Sequence, residues 1–184
     1  MECNKWLPGA HVYSRRMKRE WQMRIYLGGP MFVQAEVEYN LRLAGKLREL
    51  GFEVYCPNES EPINDKTRND ITARKIYDFD IAELEASNAL LCQVSEDSGT
   101  NWEAGYMDCL ARHVDPERYY GVIGLATDIR LQTQPDPARS GVENLSIALN
   151  ALVVGGLQRS LGIFTDVPSV FARLVEIRAE REGK

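Results

Sequence analysis

The sequence predicts an α/β protein built on a doubly wound sheet of five parallel strands in the order 2-1-3-4-5. Short apolar runs alternate along the chain with longer segments whose apolar residues recur at helical spacing, and this alternation is typical of βαβ units. The run 89–94 (ALLCQV) is almost continuously apolar, as expected of a strand buried on both faces of a parallel sheet. Such strands need right-handed crossovers, which place helices against the sheet.

The first predicted strand is followed by a turn and a long helix. Residues 23–27 (MRIYL) form an apolar run that ends at the turn signal Gly28-Gly29-Pro30. Apolar residues at helical spacing predict a helix over 32–50, which Gly51 ends at the C′ position. The second strand is predicted over 52–56, before a Pro-Asn pair.

The middle of the chain contains two loops that flank a helix and the central strand. Residues 57–69 are polar and proline-containing, and residues 95–99 follow the strand 89–94, so both segments are predicted as loops. A helix is expected over 70–87, and another begins at Asn101. The predicted buried stripe of the 70–87 helix consists of Ile71, Ile76, Phe79 and Leu84.

The last part of the chain completes the sheet. A fourth strand is predicted over 119–125, followed by a polar loop over 126–143. The apolar segment 145–157 predicts a helix, and 161–164 predicts a weak fifth strand. A final amphipathic helix is expected over 167–181.

Five strands in this order define a flavodoxin-like fold, in which the chain reverses direction between strands one and three. Ligands of such sheets bind outside the carboxyl ends of the strands at this switch point. Strand one brings Tyr26 and the glycine turn to that position, and strand three brings Asp97, Gly99 and Glu103. The fold therefore predicts a site where these residues meet.

The composition restricts the classes of partner. The 184 residues carry a formal net charge of −5, which disfavours polymeric nucleic acid because its phosphates attract positive charge. The two histidines, His11 and His113, have no carboxylate cluster beside them, so no metal ion is expected. No segment is apolar enough to span a bilayer. The four scattered cysteines do not resemble a secreted disulfide framework, which predicts a cytoplasmic protein.

Residues 1–22 are predicted to be an N-terminal extension to a single domain that spans 23–184. The extension combines basic residues with tryptophans and lacks the apolar core of a signal peptide. Because Met23 directly precedes the first strand, we expect the extension to be disordered or loosely docked, or to reflect a gene start placed too early.

Glu103 is the candidate nucleophile, although its sequence context also suggests a structural role. Thr100 is a plausible N-cap, which places Glu103 at N3 and matches a capping box. The helix nevertheless starts at the switch point, and Gly99 and Gly105 leave space for a ligand. A carboxylate in the first helical turn is favoured in its charged form by the helix dipole, as a carboxylate nucleophile requires.

A second pair of carboxylates, Asp78 and Asp80, lies on the preceding helix. The two are two residues apart and therefore point to different faces. Asp80 shares a face with Tyr77 and Leu84, so we expect it at the rim of the crevice. Asp78 is interpreted as an exposed helix charge.

These segments resemble the nucleoside 2-deoxyribosyltransferases. The shared marks are the start Ile25–Pro30, the helix that carries Asp80, the stretch Asp97-Ser98-Gly99-Thr100 through Glu103–Tyr106, and a late Asn150-Ala151-Leu152. The resemblance covers about residues 23 to 166. The Asp-x-Gly-Thr-x-x-Glu-x-Gly pattern is its most specific part.

The resemblance implies catalytic roles for three residues. Glu103 would attack the anomeric carbon of a 2-deoxyribose. Tyr26 would hydrogen-bond and orient the Glu103 carboxylate. Asp80 would contact the base and help to protonate its leaving nitrogen. The reaction so implied needs no cofactor.

The resemblance also implies five substrate-binding residues. Asp97 would bind a sugar hydroxyl, Gly28 and Gly99 would allow close approach, and Phe32 would pack near the base. Asn150 would reach the site of a neighbouring subunit, which implies a homo-oligomer. The family often has Asn-Leu-Met where this chain has Asn-Ala-Leu, so Asn144 is a rival for that role.

The resemblance implies a transfer of 2-deoxyribose between nucleobases through a covalent glutamate ester, with retention of configuration and ping-pong kinetics. The substrates would be a 2′-deoxynucleoside and a free nucleobase, in nucleotide salvage. One alternative is an N-glycosidase that hydrolyses deoxynucleosides or their monophosphates, for which Ser98, Thr100 and Arg130 are candidate phosphate ligands. A more distant alternative is a nucleotide-binding module in which Glu103 is only a cap. Base preference stays open between purines alone and both base classes.

Overall fold

Five parallel strands form one sheet in the order β2-β1-β3-β4-β5, which confirms the predicted fold class. The computed structural model describes residues 22–60, 64–65, 67–128 and 149–183. The strands are β1 (Arg24–Gly28), β2 (Glu53–Tyr55), β3 (Ala89–Gln93), β4 (Gly121–Leu125) and β5 (Ile163–Phe164). Each predicted strand is present, although β2, β3, β4 and β5 are shorter than the apolar runs that predicted them.

Within the described residues, four α-helices connect these strands and a fifth follows β5. They are α1 (Gln34–Glu49), α2 (Ala73–Ala86), α3 (Ser98–Cys109), α4 (Ala151–Arg159) and α5 (Val167–Glu182). A short 3₁₀ turn covers Pro57–Glu59 in the predicted first loop, and a π-helical turn, Leu110–Val114, extends α3. Over these ranges, no helix has the length and apolar content needed to cross a membrane.

Helix boundaries differ from the predicted ones where a capping residue decides them. Gly51 has a φ of 87° after α1, so a glycine stops this helix as predicted. The second helix begins at Ala73 rather than at Asp70, because the Thr72 side chain accepts a hydrogen bond from the Lys75 amide. Helix α4 begins at Ala151, and the earlier part of the predicted helix, residues 145–148, lies outside the described residues.

The sheet buries a separate hydrophobic core on each face. Side chains alternate along a strand, so Leu91 of β3 joins one core and Leu90 joins the other. Helices α1 and α5 cover the first core, and α2, α3 and α4 cover the second. Tyr26 belongs to the second core and is fully buried. This assignment places the phenol of Tyr26 on the same side of the sheet as α3.

Helix α2 packs less deeply than its sequence suggests. Of the four residues predicted to form its buried stripe, only Leu84 is fully buried. Ile76 is partly buried and faces a cavity between α2 and α3. Ile71 lies before the start of the helix, and Phe79 is partly buried against Tyr55. The first two turns of α2 line an open space rather than the core.

A buried amide network fixes the turn after β1. Asn40 of α1 is 2% exposed, and its Nδ2 donates to the Pro30 carbonyl at 3.0 Å and to Asn58 Oδ1 at 2.8 Å. Gln93 Nε2, at the end of β3, donates to Asn40 Oδ1 at 2.6 Å. One side chain therefore links α1, the end of β3 and the loops after β1 and β2. These are the segments that border the switch point.

We predict that Asn40→Ala lowers the free energy of unfolding by about 2–4 kcal/mol, because three hydrogen bonds are lost and their partners stay partly buried. The measurement is chemical unfolding in urea. Gln34→Ala is the matched control, since Gln34 lies on the exposed side of the same helix and its side chain donates to Glu38. Equal effects of the two substitutions would show that the network does not stabilise the turn.

Candidate active site

The ends of β1 and β3 are neighbours in the sheet, and this brings Tyr26 to Glu103. Tyr26 pairs in register with Leu90, and α3 starts a few residues after β3 ends. The Tyr26 hydroxyl donates a hydrogen bond to Glu103 Oε1 at 2.7 Å. The second carboxylate oxygen lies over Gly28, where an added Cβ would be 2.9 Å from Oε2. A glycine is therefore required at position 28 for this placement of Glu103.

Glu103 is not part of a capping box, so that interpretation of the sequence is wrong. Helix α3 begins at Ser98, and its N-cap is Asp97. Asp97 Oδ2 accepts hydrogen bonds from the Thr100 amide and from the Thr100 hydroxyl, both at 2.7 Å. Because the helix starts earlier than predicted, Glu103 lies in its second turn. Its carboxylate is free to turn toward β1.

A cavity of about 380 Å³ between α2 and α3 contains both Asp80 and Glu103. Its volume lies in the range of small-molecule sites. The cavity is lined by Ala73, Ile76, Tyr77, Asp80, Ile81, Leu84, Gly99, Trp102 and Glu103. Asp78 lies outside it, exposed and 3.7 Å from Arg74, as its interpretation as a surface charge predicted.

The pKa of Glu103 is raised to about 7. Burial is the main cause, and the charges of Asp80 and Asp97 raise the pKa further, whereas the hydrogen bond from Tyr26 lowers it. The expectation that the helix dipole keeps Glu103 charged is therefore wrong. The dipole acts within the first turn, and Glu103 lies beyond it on a partly buried face.

Asp80 also holds its proton more tightly than an exposed aspartate. Burial, and then the charge of Glu83 one turn away, raise its pKa to about 6. Burial and the negative charge of Glu103 raise the pKa of Tyr26, so its phenol remains a hydrogen-bond donor. Two carboxyl groups with raised pKa values therefore line one cavity, and the charge of Asp80 is one cause of the raised pKa of Glu103.

Two of the residues singled out in the sequence lie away from this cavity. Phe32 follows the turn after β1 and is 78% exposed. Asn150 is exposed and caps α4, where its side chain accepts a hydrogen bond from the Leu152 amide at 2.9 Å. The residues that follow it, Ala151 and Leu152, line a second cavity of about 500 Å³ between α3 and α4, which is lined by neither Asp80 nor Glu103. Gly28 lies beneath the Glu103 carboxylate, Gly99 lines the same cavity, and the charge of Asp97 acts on Glu103. Asn144 lies outside the described residues.

Sequence reasoning missed Trp102 as a lining residue. Trp102 directly precedes Glu103, and Tyr77 lies three residues before Asp80, so both aromatic side chains enter the same cavity as the carboxylates. The spacing of Tyr77 and Asp80 on one helical face had indicated half of this arrangement. The sequence did not show that the side of α3 that carries Trp102 also faces the cavity.

The fold and the site together define a flavodoxin-like α/β domain with a two-carboxylate site at its switch point. The model of the family described as nucleoside 2-deoxyribosyltransferase matches residues 25–144. Because this match covers more than half of the chain, the protein belongs to that family. No curated protein matches the sequence significantly.

Three solved structures share the fold. A conserved protein from Enterococcus faecalis V583 is 25% identical, with a TM-score of 0.65, and the match covers 85% of this chain and 99% of that one. A 2-deoxyribosyltransferase from the psychrotolerant bacterium Bacillus psychrosaccharolyticus is 18% identical, with a TM-score of 0.54 and coverages of 80% and 90%. A 2-desoxiribosyltransferase from Leishmania mexicana is 19% identical, with a TM-score of 0.55 and coverages of 84% and 97%.

We predict that Glu103→Gln stabilises the protein at alkaline pH. Folding raises the pKa of the Glu103 carboxyl group, so the free energy of unfolding of the wild type falls as the pH rises from about 4.5 to about 7. The amide does not titrate. The free energy of unfolding of the variant should therefore exceed that of the wild type by about 1–3 kcal/mol at pH 8 and by much less at pH 5. Urea unfolding at both pH values measures the difference. The exposed Glu117→Gln should show no such dependence, and a gap that is equal at both pH values would contradict the raised pKa.

Proposed function

We propose that the protein transfers 2-deoxyribose between nucleobases, with Glu103 as the nucleophile. The observation that supports this most directly is the Tyr26–Glu103 hydrogen bond of 2.7 Å, made beside a cavity that also contains Asp80. One carboxyl group is oriented for attack, and the other has a raised pKa suited to proton donation. Membership of the family supports the same reaction class.

In the first half-reaction, Glu103 attacks the anomeric carbon of a bound 2′-deoxynucleoside. The glycosidic C–N bond breaks, and its electron pair leaves with the base nitrogen, which takes the proton of Asp80. Positive charge that develops on the sugar is stabilised by the nearby carboxylate. The free base departs, and the sugar is held as an ester of Glu103.

In the second half-reaction, the nitrogen of an incoming base attacks the same carbon. The ester bond breaks, Glu103 is released as a carboxylate, and the proton lost by the base returns to Asp80. Two inversions at the anomeric carbon retain its configuration. Since the first base leaves before the second enters, the kinetics are ping-pong. The residues supply all groups that the reaction needs, and no cofactor takes part.

The proposed reaction needs a protonated Asp80 and an ionised Glu103. The pKa of Glu103, about 7, exceeds that of Asp80, about 6, so substrate binding must reverse this order. Asp80 is only partly buried, and a ligand that displaces water from it raises its pKa further. Glu103 keeps its hydrogen bond from Tyr26, which favours its charged form.

The remaining contacts of the proposal concern the sugar and the assembly. Gly28 and Gly99 allow close approach to the ligand, and Asp97 binds a sugar hydroxyl with the carboxylate oxygen that does not cap α3. Asn150 completes the site of a neighbouring subunit in a homo-oligomer. We place this activity in the cytoplasm, in agreement with the free, buried thiols of two cysteines.

A hydrolase on the same scaffold would use water in place of the second base. Cleavage of deoxynucleoside monophosphates would need a phosphate ligand, but the Thr100 hydroxyl already donates to Asp97. Ser98 is exposed and available, whereas Arg130 lies outside the described residues. The alternative of a binding module assumed that Glu103 only caps α3, but Asp97 is the residue that caps this helix.

The wild type is expected to convert deoxyinosine and free adenine into deoxyadenosine and hypoxanthine, as followed by chromatography. Glu103→Gln should lower this rate by at least about a thousandfold, because the amide cannot form the ester. Glu117→Gln is the matched control and should retain the rate. Free deoxyribose without deoxyadenosine would identify a hydrolase. Unimpaired exchange by Glu103→Gln would contradict the proposed nucleophile.

The pH profile of kcat/KM should be bell-shaped, with its maximum between about pH 6 and 7. At lower pH both carboxyl groups are protonated and no nucleophile remains, whereas at higher pH both are ionised and no acid remains. Asp80→Asn should lower the rate and remove the alkaline decline. An unchanged alkaline limb in Asp80→Asn would assign the acid to another residue.

A further inference from the structure

Trp102 presents a large apolar surface beside the two carboxylates. Its side chain is 65% exposed, although tryptophan is usually well covered in folded proteins. Tyr77 is 47% exposed and lines the same cavity. The two residues belong to different walls, since Trp102 is on α3 and Tyr77 is on α2. An aromatic side chain therefore stands on either side of the cavity.

The aromatic and acidic residues are arranged by helical periodicity. On α2, Tyr77 and Asp80 are three residues apart and share one face, and on α3 Trp102 directly precedes Glu103. A ligand that reaches both carboxyl groups must pass between the two helices. A flat ring in that position would contact the aromatic side chains along its faces or edges.

We propose that Trp102, together with Tyr77, stacks on the nucleobase and makes the site favour bicyclic over monocyclic bases. This inference rests on the proposed function and adds the residues that determine its base preference. Stacking on an aromatic side chain is available to every base, because each has a π-face. The attraction grows with the area of contact, so a purine gains more from the same surface than a pyrimidine.

The other lining residues do not provide an alternative source of base selection. Apart from the two carboxylates, the tyrosine hydroxyl and the indole, the cavity is lined by apolar side chains and Gly99. Apolar side chains discriminate weakly between ring systems of similar polarity. Phe32, which the sequence suggested for packing near the base, lies outside this cavity and is 78% exposed.

The experiment measures ligand binding separately from turnover. In a Glu103→Gln background, the Kd values of deoxyadenosine and thymidine are measured by calorimetry with Trp102 intact or changed to Ala, Leu or Phe. Trp102→Ala should raise the Kd of deoxyadenosine by about tenfold or more and that of thymidine by a smaller factor. Trp102→Phe should recover most of the affinity, whereas Trp102→Leu should not, because a leucine has the bulk without the π-face. Tyr77→Ala should act in the same direction.

Controls separate stacking from other roles of Trp102. Val114→Ala removes an exposed apolar side chain that lies outside the cavity and should leave both Kd values unchanged. Circular dichroism and sedimentation follow folding and assembly of each variant. The proposal is overturned if Trp102→Ala leaves both Kd values unchanged, if Leu restores affinity as well as Phe, or if both ligands weaken by the same factor. A change in assembly with unchanged Kd values would instead show that Trp102 contacts a second copy of the chain.

The outcome for this proposal is distinguishable from the outcome for the reaction itself. A wild type that binds deoxyadenosine through Trp102 but exchanges no base would contradict the proposed function and keep the stacking residue. If the wild type exchanges bases and Trp102→Ala keeps the same base preference, the proposed function stands and the stacking role of Trp102 is contradicted. The exchange assay on purine and pyrimidine pairs with Trp102→Ala therefore accompanies the binding series.

Discussion

The hydrogen bond between the Tyr26 hydroxyl and the Glu103 carboxylate is the interaction on which the site depends. It joins the first strand to the third helix across 77 positions of sequence. Three features make it possible. The strands β1 and β3 are adjacent and parallel, Gly28 leaves room for the second carboxylate oxygen, and Asp97 caps the helix at the residue that turns Glu103 inward. A change in any of these would separate the phenol from the acid.

The same interaction has a cost in stability. Placing Glu103 and Asp80 in one cavity raises the pKa values of both, because burial and their proximity to other acids disfavour the charged forms. Regular packing elsewhere offsets this cost. Two hydrophobic cores cover both faces of the sheet, and the Asn40 network holds the turn that follows β1. The site is thus a destabilised region held by stable surroundings.

The fold could be predicted from the sequence because its signals are strong and local. Continuous apolar runs indicated buried parallel strands, and the fold rule for switch points then placed Tyr26 and Glu103 together without any contact being visible. The helix start was less predictable, since Asp97 and Thr100 are both good N-cap residues three positions apart. A sequence offers no way to choose between them. The side of α3 that faces the cavity was not visible in the sequence either, and so the position of Trp102 was missed. The open packing of α2 was equally invisible, because apolar residues that line a cavity follow the same periodicity as residues of a core.

The reacting groups described above all lie on regular elements. Tyr26 is inside a strand, and Asp80 and Glu103 are inside helices rather than in the segments that connect them. The connections after β2 and after β4 can therefore gain or lose residues without moving the atoms that react. This separation lets a lineage change which ligands it accepts by altering surface segments while the chemistry is inherited intact. We therefore expect proteins with this scaffold to differ mainly in their loops and helix faces and to keep the strand tyrosine and the helix glutamate.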